Sequence, residues 1–244
     1  MLAKVEGVII SEIPYKETSK IINVFTNEGI IGILARNAYN PRSHLANFTS
    51  KLTYGIFHIN KRVGLSTLIE VDIVDSLKII KKDLFKISYA SFITDLVGQV
   101  YKHEENNNIY KLYIESLKKI NEGYDPQIIT NILELKLLEY LAILPTLDKC
   151  VVCGNTHDIV TISSYKGGYI CKNCLKNDII VNTKTIKLIR MFYYVDISKI
   201  SKTDISENIK KEINTFLDEY YERYAGLYLK TKSFLNKIGS EINE

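Results

Sequence analysis

Four prolines and twelve glycines in 244 residues are too few for a long disordered tract. No run approaches the roughly 20 apolar residues that a membrane-spanning helix needs, so no membrane partner is expected. The opening MLAKVEGVII carries one Lys and an early Glu and then alternates. That pattern does not fit a signal peptide, and a cytoplasmic protein is expected. Nucleotide-hydrolysis motifs are missing: neither G-x-x-x-x-G-K-[ST] nor G-x-G-x-x-G occurs. G-x-S-x-G and H-E-x-x-H are missing as well. Glu104-Glu105 falls in a polar, Asn-rich loop and reads as solvated. With no catalytic constellation left, the chain is expected not to be an enzyme. Arginine is scarce, at positions 36, 42, 62, 190 and 223 only, among 32 basic residues. Lys, Ile and Asn are abundant, which looks like compositional drift. An Arg kept against that drift carries more information than any single Lys.

What remains is the balance of a globular chain. Hydrophobic residues make up 46% and charged residues 25% of 28.0 kDa, enough for one large domain or two small ones. The formal charge of +4 is only mildly basic. Any case for nucleic acid must therefore rest on where the charge sits.

All the cysteines fall in one window: Cys150, Cys153, Cys171 and Cys174, as CVVC, 17 residues, then CKNC. Each C-x-x-C can wrap two thiolates around one tetrahedral ion, and the spacer suits a hairpin that brings the pairs together. The spacing reads as a four-thiolate site for one structural Zn2+ per chain. The hairpin itself is legible in IVTISSY (159–165), a Gly167-Gly168 turn, and Tyr169-Ile170 leading into the second pair. Gly154, directly after Cys153, permits a tight turn. A pair of disulfides is the alternative, disfavoured in a reducing compartment. A redox dithiol needs only one pair. A catalytic zinc needs an open position, which four thiolates close.

The first 80 or so residues read as strands near Val5–Ile13, Ile21–Thr26, Ile30–Ala35, Leu52–Asn60 and Thr67–Val74. Five short strands in this span suggest a small closed barrel of OB-fold type. From about Asp83 the period becomes helical, with a stripe of Leu84, Ile87, Ala90 or Ser91, Ile93 or Thr94, and Val97. A second helix is expected near Ile109–Ile120. A third starts at Asp125-Pro126 and runs to about Leu144, Leu/Ile-rich on most sides, and Pro145 ends it. Helices resume at Thr183–Tyr194 and Ser206–Ile238. The expected class is α+β: a barrel over 1–80, a helical domain over 81–149 and 175–244, and a zinc hairpin at 150–174 carried by that domain.

From Gly29 through Ile69 there is no Asp or Glu, over 41 residues where the chain average would put about five. Arg36, Arg42, Lys51, Lys61 and Arg62 lie within it, with His44 and His58. Aromatics Tyr39, Phe48, Tyr54 and Phe57 are interleaved. An acid-free basic surface tracks phosphates, and exposed aromatics stack bases. Tyr54 and Phe57 read more simply as barrel core. The loop from Arg36 to Arg42 reads as a nucleic-acid surface, and the five cations are the candidate DNA contacts.

Two segments resemble a known family. GVIISEIPYKETSKIINVFTNEGIIGILARNA (7–38) resembles the opening of the bacterial DNA repair protein RecO family. Its turn is Tyr15, Glu17, Thr18 and Ser19, and its basic loop runs from Ala35 to Ser43. CVVCG followed by SSYKGGYICKNC resembles the zinc segment of many members. The chain departs from the family at Asn37, where Gly is usual, and at Tyr39 and Asn40, where basic residues are common. Asn accepts left-handed backbone, so the turn survives. The resemblance implies a non-enzymatic recombination mediator in the bacterial cytoplasm, associated with the nucleoid. Such a protein binds single- and double-stranded DNA and anneals strands. With RecR it loads RecA onto strands coated by single-stranded-DNA-binding protein (SSB), whose C-terminal tail it binds through the helical domain. The rival reading is a zinc-ribbon transcription or translation factor that uses the hairpin as its nucleic-acid face. That face would have only Lys166 and Lys172 against Asp158.

Overall fold

The computed structural model describes residues 1–227 together with Thr231, Lys232 and Leu235. The chain divides into two compact units. One spans Met1–Glu122 and includes those last three residues; the other spans Gly123–Lys230.

The first unit opens with β1 (Leu2–Tyr15), β2 (Ser19–Thr26), β3 (Gly29–Ala35), β4 (Tyr54–Asn60) and β5 (Ser66–Asp75). They close into a barrel in the order β1-β2-β3-β5-β4. The β3–β5 contact is parallel and two rungs long, Ile33↔Ser66 and Leu34↔Thr67, while every other neighbour is antiparallel. This is the OB-fold arrangement that the strand count anticipates. β1 outruns its expected limits at both ends because it serves two partners. Its first half pairs with β4, from Leu2↔Asn60 to Val8↔Tyr54, and its second with β2, from Gly7↔Thr26 to Tyr15↔Ser19. At the changeover Gly7 faces Gly55. A Cβ on Gly55 would lie 2.7 Å from the Asp72 carbonyl oxygen, and one on Gly7 would overlap the Phe25 carbonyl. β4 starts later than the pattern suggests, because Leu52 takes a left-handed φ of 65°. Alternate residues Ile22, Val24, Ile33, Phe57, Ile59 and Leu68 fill the interior. Tyr54 and Phe57 are buried, as read from the sequence.

Within Met1–Glu122 three helices follow the barrel: α1 (Lys78–Lys81), α2 (Leu84–His103) and α3 (Asn107–Asn121). Asp83 caps α2 by accepting from the N–H of Phe85 (2.9 Å) and Lys86 (3.1 Å). The expected stripe on α2 needs correction at its start. Leu84 stands exposed in the first turn, whereas Phe92, Leu96 and Val100, off the stripe, are fully buried. Phe25 on β2 explains the wider buried face. Its ring lies 4.8 Å from Tyr101 on α2 and 5.3 Å from Tyr110 on α3, joining barrel and helices in one core.

The second unit is built on α4 (Pro126–Tyr140). Asp125 caps it through the N–H groups of Gln127 (2.8 Å) and Ile128 (3.3 Å), with Pro126 in the first turn, as expected. Its residues are buried on most sides. It ends at Tyr140, short of Leu144. Ala142 takes a left-handed φ of 55° and donates to Glu139 O, and Ile143 N reaches back to Leu138 O at 3.1 Å. This is a Schellman ending with Ala where Gly is usual, so the sequence did not mark it. Next come β6 (Ile159–Ser163) and β7 (Gly168–Cys171), an antiparallel hairpin, then α5 (Thr183–Tyr194), whose bounds match the expectation. α6 (Glu207–Tyr224) replaces the expected continuous helix Ser206–Ile238. Gly226, at φ 61°, follows its last turn, as in a left-handed helix ending. Most of that expected helix beyond 227 lies outside the described residues. α4 contacts both α5 and α6: Lys136 Nζ donates to Tyr193 O at 2.8 Å, and Tyr221 OH to Glu134 O at 2.8 Å. Among the described residues no helix is long and apolar enough to cross a membrane.

Candidate nucleic-acid interface and metal centre

The β3–β4 connection, residues 36–53, carries the first candidate cations. It is pinned at several points. Tyr39 N donates to Thr18 O (2.9 Å), Asn37 N to Ser19 Oγ (3.3 Å), and Thr18 Oγ1 to Asn37 Oδ1 (2.9 Å). Asn37 has a left-handed φ of 54°, the geometry anticipated for Asn in place of Gly. Asn40 Oδ1 accepts from Arg42 N at 3.0 Å, a side-chain turn that shapes the loop tip. Ala38 and Leu45 anchor the loop in the barrel core. Arg36, Tyr39, Arg42 and Phe48 remain exposed. The loop is thus a tethered platform with two guanidinium groups facing water.

Lys61 and Arg62 are also exposed, on the β4–β5 connection, where Lys61 N donates to Met1 O at 2.8 Å. Val63 beside them is fully exposed. These two precede the β3–β5 rungs, whereas Arg36 leaves β3 beyond them. The fold therefore presents two separate pairs. Lys51 behaves differently: it is half-buried, and its Nζ donates to Ser91 O on α2 at 3.4 Å. Burial pushes its pKa down, and Asp95 opposes that shift. Its ammonium is engaged with the helical face of its own unit.

The cysteines converge. The four Sγ atoms lie within 4.8 Å of one another, with Cys153 and Cys171 at 3.6 Å. A disulfide would need about 2.05 Å, and all four thiols are free. Tetrahedral Zn–S bonds of about 2.3 Å imply S···S edges of about 3.8 Å, so these four side chains fit such an ion. The backbone is shaped for it. Gly154, at φ 76°, donates to Cys150 O (2.8 Å), and Cys150 N donates to Asn155 O (2.7 Å), closing the first knuckle. Burial pushes the Cys150 thiol up, but N–H groups of Cys171, Cys153 and Val152 outweigh it and hold it down to about 6. The Cys153 thiol bonded to Cys174, with burial, pushes Cys174 up to about 12. A cation bound to the four sulfurs would displace the thiol protons.

The hairpin is clamped from the side by Thr146. Thr146 N donates to Gly167 O and Tyr169 N to Thr146 O, each at 2.9 Å. A Cβ on Gly168 would lie 2.5 Å from Thr146 O, so this approach requires glycine. The Gly-Gly turn thus serves docking as well as reversal, which spacing alone did not reveal. Buried Tyr169 extends the clamp by donating to Ile186 O on α5 at 2.6 Å. Lys166, counted as a hairpin cation, is paired with Asp178 at 2.6 Å. The H-x-E triplet His103-Glu104-Glu105, a pattern known from zinc deaminases, closes α2 and adds no ligand to the cysteine cluster.

Fold and cysteine cluster together define a class: an OB barrel with attached helices, followed by a helical unit with a metal-competent hairpin. Comparison with known proteins narrows the class to one family. A family model described as Recombination protein O N terminal matches residues 1–77, and one described as Recombination protein O C terminal matches residues 81–233. The chain is 37% identical over 245 residues to a Bacillus subtilis protein named DNA repair protein RecO, covering 98% of this chain and 96% of the relative. Proteins of the same name from Bacillus pumilus and Halalkalibacterium halodurans are 36% and 35% identical over the same shares. The chain belongs to the RecO family.

Proposed function

We propose that this chain acts in DNA repair as a non-enzymatic mediator that binds DNA and anneals complementary strands. With RecR, it would load RecA onto single strands coated by SSB. The observation that carries this reading is the acid-free span, which leaves Arg36, Arg42, Lys61 and Arg62 exposed on two barrel loops of a RecO-family chain. Cations in water attract phosphates and release counterions, and strand annealing needs two polyanions brought together. Phe48, exposed on the same loop as Arg36 and Arg42, offers a ring face to unpaired bases, as does the face of Tyr39 opposite the Lys20 ammonium, which lies 5.0 Å from the ring centroid. Lys51 is the weakest of the five candidates, since its ammonium is already engaged.

The cysteine cluster would hold one structural Zn2+ through Cys150, Cys153, Cys171 and Cys174. When bound, the ion supplies a fixed cross-link between the two knuckles; four thiolates leave no open position for chemistry. The hairpin as nucleic-acid face, the zinc-ribbon reading, is weakened by the Lys166–Asp178 pair, which leaves Lys172 as its main free cation. The SSB tail is expected on an apolar groove rimmed by Lys or Arg in the helices, and RecR is the expected protein partner in the bacterial cytoplasm.

The test is an annealing assay on SSB-coated complementary oligonucleotides, without nucleotide, with and without RecR. Acceleration by the chain, reduced in Arg36→Ala with Arg42→Ala, supports the reading. Turnover of DNA ends or bases, or no acceleration in either condition, overturns it.

A further inference from the structure

A cavity of about 380 Å3 opens in the second unit, and none of the four cysteines lines it. Its walls come from β6 and the turn after it, from the irregular segment 178–181, and from one face of α6. The volume lies within the range typical of ligand pockets. Buried Ile162 and Phe216 form part of the lining.

Two features mark the cavity as unfilled docking space. The first is apolar surface held out in water. Ile179 on the wall is 85% exposed and its neighbour Ile180 64%. Single exposed apolar residues are ordinary, but adjacent ones beside a concavity mark interaction surface. The segment is tethered: Thr161 Oγ1 donates to Ile179 O (2.5 Å), Asp178 pairs with Lys166 (2.6 Å), and Asn182 N donates to a Glu212 carboxylate oxygen (3.0 Å). The isoleucines are therefore displayed by a fixed backbone.

The second feature is the sign of the rim. Among the lining residues Glu212 and Glu219 stand against Lys211, Asp178 being already paired with Lys166, in a chain whose formal charge is +4. Glu212 and Glu219 sit on the same α6 face, and each is oriented by its own donors. Thr185 Oγ1 and Asn182 N donate to Glu212, and Ser164 Oγ donates to Glu219. Among the described residues these bonds use Oε2, and a carboxylate has acceptor sites on both oxygens, so each retains capacity for a ligand donor. Phosphates and acidic peptides meet repulsion here, so this rim selects against both nucleic acid and an acidic tail.

We propose that this cavity docks a protein segment presenting one large aliphatic or aromatic side chain flanked by Lys or Arg. The apolar side chain would fill the space beside Ile162, Ile179 and Phe216, and the flanking cations would pair with Glu212 and Glu219. This site is independent of the DNA reading and stands or falls separately from it.

The test titrates the full chain with a fluorescein-labelled peptide, Ser-Gly-Arg-Leu-Arg-Gly-Ser, followed by polarisation. Two control peptides replace both Arg by Glu, or Leu by Ala. Saturable binding is expected, weakened at least tenfold in each control. Thr215→Trp, which fills the cavity mouth from an exposed position on α6, and Glu219→Lys should each lose it at least tenfold. Both variants should keep wild-type affinity for single-stranded DNA. Methyl NMR of the unmodified chain gives a readout that does not depend on a variant folding. Peptide should shift Ile162, Ile179 and Val181 and leave the methyls of Ile22 and Ile33 in the barrel unmoved. No saturable binding, equal binding of all three peptides, or displacement of the peptide by an oligonucleotide would each overturn the proposal.

Discussion

The cysteine cluster and the basic loops are both sets of side chains picked out by position in the sequence, yet the fold treats them in opposite ways. Four thiols spread from 150 to 174 come within 4.8 Å of one another. Five cations spread from 36 to 62 end as two exposed pairs and one engaged Lys. The difference lies in what each chemistry demands. A tetrahedral ion needs donors at fixed angles, so its spacing rules are tight and the backbone must be built around it. A phosphate path needs only charge in water, so many arrangements satisfy it and spacing says little about which cation takes part.

The largest expected effect falls on the convergent site. Chelation at neutral pH should release one zinc per chain, as read by elemental analysis. Structural zinc contributes on the order of 10 kcal/mol in isolated finger peptides. Here Thr146 and Tyr169 also hold the hairpin, so the outcome is local. Amide exchange across 146–174 should accelerate by more than about tenfold while the barrel stays protected. Zinc-free protein purified without chelator, with four freely titrating thiols, would break this half of the comparison.

The barrel's stability should depend instead on apolar packing. Phe25→Ala removes the ring shared by Tyr101 and Tyr110 and should cost about 3–5 kcal/mol. Denaturant titration followed by tyrosine fluorescence checks it, and a loss below about 1 kcal/mol would mean the helices and barrel do not share one core.

A smaller effect separates the cations. Lys51→Met keeps the apolar stem but removes the ammonium directed at Ser91. It should leave the salt dependence of DNA affinity unchanged. A slope flattened by about 0.7 would mean that Lys51 swings out to meet phosphate.

Local patterns revealed much of this, and their failures share a cause. The Asp125-Pro126 helix start and the bounds of α5 were legible because each is set by neighbours in sequence, and the convergence of the four cysteines because two C-x-x-C pairs are joined by a short hairpin. The length of β1 was not, because its two halves answer to β4 and β2, both distant in sequence. The end of α4 was missed because Ala142 occupies a position where Gly is the usual signal. The buried breadth of α2 depends on Phe25, a residue of another element. The fate of Lys51 depends on a carbonyl forty residues away. Charge patterning marked out a stretch of chain; only tertiary contacts could show which of its cations stand in water and which, like Lys51, are engaged.

The most direct test of the account is the salt dependence of single-stranded DNA binding. With Arg36, Arg42, Lys61 and Arg62 as contacts, log affinity should fall against log salt with a slope of about −2.8. That is a loss of roughly 50-fold between about 50 and 200 mM. Arg36→Ala with Arg42→Ala should flatten the slope by about 1.4 and leave folding nearly intact, since exposed charges contribute little stability. A double variant with wild-type affinity and slope would contradict the account, making the β3–β4 loop a solvated face and moving the DNA site elsewhere on the chain.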